Sequence, residues 1–200
     1  QTVFSPMTQA RNLVGPDELL LHIRLHPDVI KDAFQTITDQ TIRFIEAARE
    51  TGISGIFYAL QWASHLDLSE SEYREFARPY DLQILQAVDD LWLNVLHLHG
   101  SHVMFSLIVD YPASVLNWHD RETEPSLSEG LKSWPKAVCG GIKQEETLVQ
   151  GTPKEIYAEG LDAIKSTNGK RLVLGTGCVA PIVTPYGNLR ALRELVELDL

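Results

Sequence analysis

The sequence predicts an α/β protein built on a parallel sheet, and three observations predict it. Short apolar runs alternate with amphipathic stretches of ten or more residues, the length a crossover needs to return a chain to a parallel neighbour. Most runs end in a polar or glycine-containing loop, and helix starts of the Ser/Thr-x-x-Glu type recur at Ser69, Ser126 and Thr152. The composition agrees: 200 residues, 44% hydrophobic and 22% charged, suffice for one well-filled core.

Taken in order, Thr2–Ser5 is a short strand, followed by a Ser5-Pro6 loop. Gly15–Leu25 reads as a helix, and Pro27 opens a longer one at its first position, where a missing N–H leaves no hydrogen bond unmade. Ile37, Ile42, Ile45 and Ala48 fall near helical spacing there, and Gly52 sits where the residue after a helix end belongs. Ser54–Leu60 is the second strand. Ser69 and Glu72 then satisfy the first free N–H groups of a helix that Pro79 should kink or restart. Leu93–Leu98 and Ser114–Trp118 are the third and fourth strands. Lys136–Cys139 is the fifth, closed by Gly140-Gly141. Thr152, Pro153 and Glu155 occupy the cap, first and third positions of a helix that Gly169 ends. Arg171–Leu174 is the sixth strand, and Thr184-Pro185 caps the last helix. Six such strands fit an open doubly wound sheet or part of a barrel, and pattern alone does not choose. No GxGxxG follows the first strand, so a dinucleotide fold has no support.

A net charge of −10 argues against nucleic acid as a partner, yet leaves room for an anionic substrate held by a few local arginines. No apolar run reaches the length of a membrane span, and no secretory segment opens the chain. The two cysteines, Cys139 and Cys178, form neither a CxxC pair nor a disulfide framework, so a reducing cytoplasm is the default. The first residue is Gln rather than Met, which suggests that the natural start is absent.

In either parallel architecture, chemistry gathers at the C-terminal ends of strands. The second strand end offers Gln61, Trp62, Ser64 and His65; the third, His97, His99 and His102. The fourth offers Asn117, Trp118, His119, Asp120 and Arg121; the fifth, Cys139 and Lys143; the sixth, Cys178. Five of the seven histidines are thus at strand ends. In His97-Leu98-His99 the two imidazoles share one side of an extended strand. With Cys178 they would make three ligands and an open fourth position, the pattern of catalytic zinc. The same imidazoles could instead bond loop carbonyls, and Cys178 could be a small packed residue. Cys139, inside an apolar strand, is expected to pack. Arg121 could grip a substrate carboxylate or pair with Asp120 or Glu122. Trp62 could line a pocket or pack beneath a loop.

These strand ends carry a resemblance. Gly52–Pro79 (GISGIFYALQWASHLDLSESEYREFARP), Val115–Arg121 (VLNWHDR), Gly140–Ile156 and Gly177–Leu192 (GCVAPIVTPYGNLRAL) stand in the order and at the separations of the uroporphyrinogen decarboxylase superfamily. The chain resembles that superfamily along nearly all its length. The resemblance implies a TIM (β/α)8 barrel with about six of eight units present, residues 1–200 forming one domain that lacks its N-terminal units. Such a piece, with open sheet edges, is expected to be weakly stable, to aggregate, or to be completed by another chain.

The resemblance implies two chemistries. The decarboxylases remove the carboxyls of tetrapyrrole acetate arms in porphyrin biosynthesis without a cofactor. The related methyltransferases move a methyl group between a corrinoid and a thiol, using zinc on an HxC pair and a later Cys. Among the strand-end residues, the catalytic candidates are then His97, His119 and Arg121, and the substrate-binding candidates Gln61, Trp62, Ser64 and Asn117, with Gln61 and Ser64 near, but not cleanly matching, the Ser of the family's Trp loop. The zinc ligands would be His97, His99 and Cys178. The sequence departs from both patterns. Gly177 stands where the decarboxylases have a histidine, Asn117 where they have the Asp of an LDW motif, and His99 where the methyltransferases have the Cys of HxC. Decarboxylation is the nominal activity, zinc-dependent methyl transfer the alternative, and a non-catalytic tetrapyrrole-binding barrel a third. The expected partner is a tetrapyrrole or corrinoid-linked small molecule, with no nucleic acid, no membrane, and a possible homodimer.

Overall fold

The computed structural model describes residues 1–197, which form two compact units. The first comprises Gln1–His97 with Met104–Ser114; the second comprises Leu98–Val103 with the chain from Val115 onward.

The first unit holds β1 (Thr2–Phe4), helices α1 (Pro6–Val14), α2 (Pro16–Leu25) and α3 (Pro27–Arg49), then β2 (Phe57–Leu60). Helices α4 (Glu70–Phe76) and α5 (Arg78–Gln86) follow, and then β3 (Val95–Leu98), whose last residue opens the second unit. The second unit holds β4 (Val115–Trp118), α6 (Leu127–Ser133), β5 (Ala137–Ile142), a π-helical turn at Gln144–Gln150, α7 (Pro153–Ser166), β6 (Leu172–Thr176) and α8 (Tyr186–Leu195). The six strands stand in sheet order β1-β2-β3-β4-β5-β6. The resolved pairings are parallel, with Val3 opposite Tyr58, Leu116 opposite Val138, and Cys139 opposite Val173. A doubly wound sheet reverses its strand order at a switch point; a barrel does not. Sequential order therefore selects the barrel topology, which pattern alone left open. Among the described residues no helix is long and apolar enough to cross a membrane.

Helices α1 and α3 depart from expectation. The Ser5-Pro6 pair is a helix start, not a loop. Ser5 Oγ accepts from Thr8 N at 3.2 Å and Pro6 takes the first position of α1, the arrangement in which proline is tolerated. In α3 the buried stripe is Phe34, Thr38, Thr41 and Ile45. The two threonines serve as core residues because their hydroxyls bond back to Phe34 O and Ile37 O at 2.7 and 2.8 Å. Other expectations hold. Pro79 restarts the helix as α5, and capping boxes form at Ser69, Ser126 and Thr152.

β5 runs through Gly140-Gly141 to Ile142, so these glycines do not close it. A Cβ on Gly140 would lie 2.1 Å from Asp120 Oδ1, and that same oxygen accepts from Gly141 N at 3.1 Å. Glycine is needed there because a carboxylate approaches the strand, a requirement that looks like a strand stop in sequence.

The first unit encloses one ionisable cluster. Asp81 is fully buried and accepts from the hydroxyls of Tyr58, Tyr73 and Tyr111 at 2.7, 3.0 and 3.2 Å. Burial pushes its carboxyl up to about 7, against the pull of those hydrogen bonds.

Candidate metal centre

Parallel strands place their C-terminal ends on one side of a sheet, so residues just past those ends meet. In the second unit His99 directly follows Leu98, the end of β3, and His119 directly follows Trp118, the end of β4. Cys178 comes two residues after β6. Gly177 makes its approach possible: a Cβ there would stand 2.6 Å from His119 Cα and 2.8 Å from Trp118 O. The Thr176 hydroxyl donates to the Cys178 carbonyl and closes the turn.

The ligating atoms of His99, His119 and Cys178 lie within 4.8 Å of one another, and each residue is half-buried. Cys178 Sγ is 3.6 Å from His99 Nδ1, and the His99 and His119 rings meet edge to face at 5.3 Å. His97 belongs to the first unit and lies on β3, two residues before His99. It is buried and stacks on Phe57 at 5.3 Å.

His119 Nδ1 pairs with Glu122 Oε2 at 3.0 Å. The Cys178 side chain is the larger of its hydrogen-bonding influences, and together with Glu122 it raises the imidazole's proton affinity against the opposing effect of burial.

The donor set suits a zinc-type ion. Zinc binds imidazole nitrogen at about 2.0–2.1 Å and thiolate sulfur at about 2.3 Å, so adjacent tetrahedral ligands are about 3.5 Å apart. The observed 3.6 Å sulfur–nitrogen separation matches that edge. A carboxylate on the far nitrogen of a ligating histidine is the usual outer partner of such a ligand, and Glu122 occupies that position.

The other sequence candidates are placed as follows. Asn117 is buried and donates from Nδ2 to Cys139 O and Thr176 O at 2.9 and 3.0 Å, tying the middle of β5 and the end of β6 to β4. An ionised aspartate could not donate to either carbonyl. The Arg121 guanidinium donates to Gly141 O, Glu159 O and Asp162 Oδ2 at 2.9, 3.0 and 2.6 Å. Three of its five N–H groups are thus engaged within the protein. Cys139 packs in β5, and burial pushes its thiol up to about 11. Lys143 pairs with Glu146 at 2.6 Å. In the first unit, Gln61 Oε1 accepts from Arg11 at 2.7 Å and Trp62 lies under the same guanidinium. Ser64 is buried and accepts from Leu66 N at 3.1 Å. His65 and His102 are exposed and stand outside the group.

Sequence reasoning missed Glu122's partnership with His119. The available signal was their separation of three residues in a turn after a strand. Glu122 was weighed only as a partner for Arg121, whose ion pairs run instead to Asp162, Asp120 and Glu159.

Comparisons with known proteins agree with this geometry at the level of fold. Residues 2–198 match the family "Uroporphyrinogen decarboxylase (URO-D)". The chain is 28% identical over 182 residues to a uroporphyrinogen decarboxylase of Chlorobaculum tepidum, covering 86% of this chain and 49% of that one. It is 30% identical over 172 residues to another from Chlorobium phaeobacteroides, covering 80% and 45%. It is 22% identical over 196 residues to the methylcobamide:CoM methyltransferase MtbA of Methanosarcina mazei, covering 93% and 57%. The solved structure of a methyltransferase from Methanosarcina mazei superposes with a TM-score of 0.84 at 24% identity, covering 98% of this chain and 57% of that one. The chain spans about half the length of the curated relatives it matches.

Proposed function

The chain belongs to the uroporphyrinogen decarboxylase family, and we propose that it serves metal-dependent methyl transfer from a corrinoid to a thiol. The observation that carries this reading is the convergence of His99 and Cys178 at a ligand separation suited to zinc. Zinc held there would supply the Lewis acidity that favours a thiolate at neutral pH. The chain's own residues do the rest. Cys178 and the imidazoles offer one soft and several borderline donors, a set that suits zinc better than magnesium or calcium. Asn117 ties β4 to β5 and to the end of β6, so the ligands stand on a braced frame.

The competing reading, tetrapyrrole decarboxylation, draws on the decarboxylase relatives. Two features count against it. A side chain in place of Gly177 would collide with the His119 backbone, so the histidine that decarboxylases are expected to carry there has no room. Arg121, the cation that would hold an acetate arm, already makes three hydrogen bonds.

The test is metal content and turnover of the wild type beside Cys178→Ala. The expected result is about one zinc per chain, lost in the variant, with methylation of a small thiol from methylcobalamin by the wild type. Well-folded protein without zinc that releases carboxyl groups from uroporphyrinogen would overturn the reading in favour of decarboxylation.

A further inference from the structure

His119 was expected from sequence as a catalytic residue. We propose instead that His119 is a metal ligand in its own right, held in place by Glu122 as a positioning residue. The inference rests on the metal reading of the strand ends and deepens it, adding a ligand from β4 to those on β3 and β6.

Three observations within the second unit support it. First, the ring offers a nitrogen within 4.8 Å of the ligating atoms of both His99 and Cys178, and it meets the His99 ring edge to face at 5.3 Å. Second, the two nitrogens have divided roles. Nδ1 donates to Glu122 at 3.0 Å, and Nε2 is shielded from solvent. A proton carrier needs one nitrogen open to water or substrate; a ligand needs one nitrogen turned inward and the other fixed by an acceptor. Third, the β6 end is built against this residue: Gly177 leaves only 2.6 Å between a hypothetical Cβ and His119 Cα. That close approach brings Cys178 beside the imidazole.

The charge balance follows. Imidazoles are neutral ligands, so a thiolate and a set of histidines leave a divalent ion with a net positive charge. The Glu122 carboxylate, reaching the site only through the His119 ring, offsets it without itself binding the ion. A glutamate three residues after a histidine in a solvent-facing turn is then part of the metal site.

Cobalt(II) is the probe, because its visible absorption reports both ligand number and thiolate bonding. The proteins compared are the wild type, His119→Ala, Glu122→Ala and Glu122→Gln, titrated with cobalt against a competing chelator. The expected result is cobalt binding weakened roughly 10–100-fold in Glu122→Ala, as for loss of an outer-shell partner, and further in His119→Ala. Glu122→Gln, which still accepts from Nδ1, should restore much of the loss. His119→Ala should also show altered visible bands that added imidazole returns toward the wild-type spectrum. Wild-type affinity and spectrum in His119→Ala would overturn the inference and leave the metal reading standing. A wild type that takes up neither cobalt nor zinc would overturn both. Glu122 is exposed at the surface, so Glu122→Ala should fold; unchanged affinity in that variant overturns the positioning role, even if His119→Ala does not fold.

Discussion

Asp81 is a carboxylate enclosed by three phenols, and its burial makes it a pH-dependent stabiliser. Its folded value of about 7 lies above the unfolded value of about 3.9. Between those limits the folded chain holds a proton that the unfolded chain has released. Stability from this group is therefore fully present below about pH 4 and is lost as pH rises through about 7. Asp81→Asn carries no titrating proton. The stability of the wild type relative to this variant should fall on going from pH 4 to pH 8, by on the order of a few kcal/mol. Urea denaturation of both proteins at the two pH values measures it. A difference that stays flat would mean that Asp81 is ionised in the fold throughout. At this scale, legibility divides by distance along the chain. The place of His97, His99 and Cys178 at strand ends could be read because strand periodicity fixes it. The Tyr58–Tyr73–Tyr111 cage could not, since its members come from separate elements and meet only through packing.

At the scale of elements, helix starts were legible because capping is local chemistry. Ser69, Ser126 and Thr152 each find their glutamate three residues on. Glycines were less legible, because a conformational need and a steric need look alike in sequence. Gly140 looked like a strand stop and is a point of close approach; Gly177 is another. Gly177→Ala should force the β6 end away from His119, lowering stability by about 1–3 kcal/mol, as overpacking does. Metal binding should weaken along with it. Gly175→Ala is the control on the same strand end: its Cβ would meet Cys139 Sγ at an ordinary 3.4 Å, so it should change neither property much. Thermal melts and metal titration of both variants distinguish a local clash from a general intolerance of side chains in this loop.

At the scale of the whole chain, alternation of strands and helices announced a parallel α/β fold, but sheet order decided its kind. Order depends on which strand each crossover returns to, and no residue pattern records that. The same non-local character governs the candidate metal site within the second unit. His99 lies in the short Leu98–Val103 segment, while His119 and Cys178 belong to the stretch beginning at Val115. That segment is also tied down by the His102 N–H, which donates to Thr123 Oγ1 at 3.1 Å. An ion bridging His99 to His119 and Cys178 would pin three stretches that are distant in sequence. Metal at a hundredfold excess over its dissociation constant adds about 2.7 kcal/mol to the folded state, and removing it withdraws that amount. Chelation should therefore lower the melting temperature, and the loss of hydrogen-exchange protection should be local. It should concentrate at Leu98–Val103 and around Cys178, while the β4–β5 ladder at Val115–Asn117 keeps its protection. Uniform loss across the chain would indicate general destabilisation. Unchanged exchange at both segments, with metal demonstrably bound and then removed, would place the ion away from these ligands.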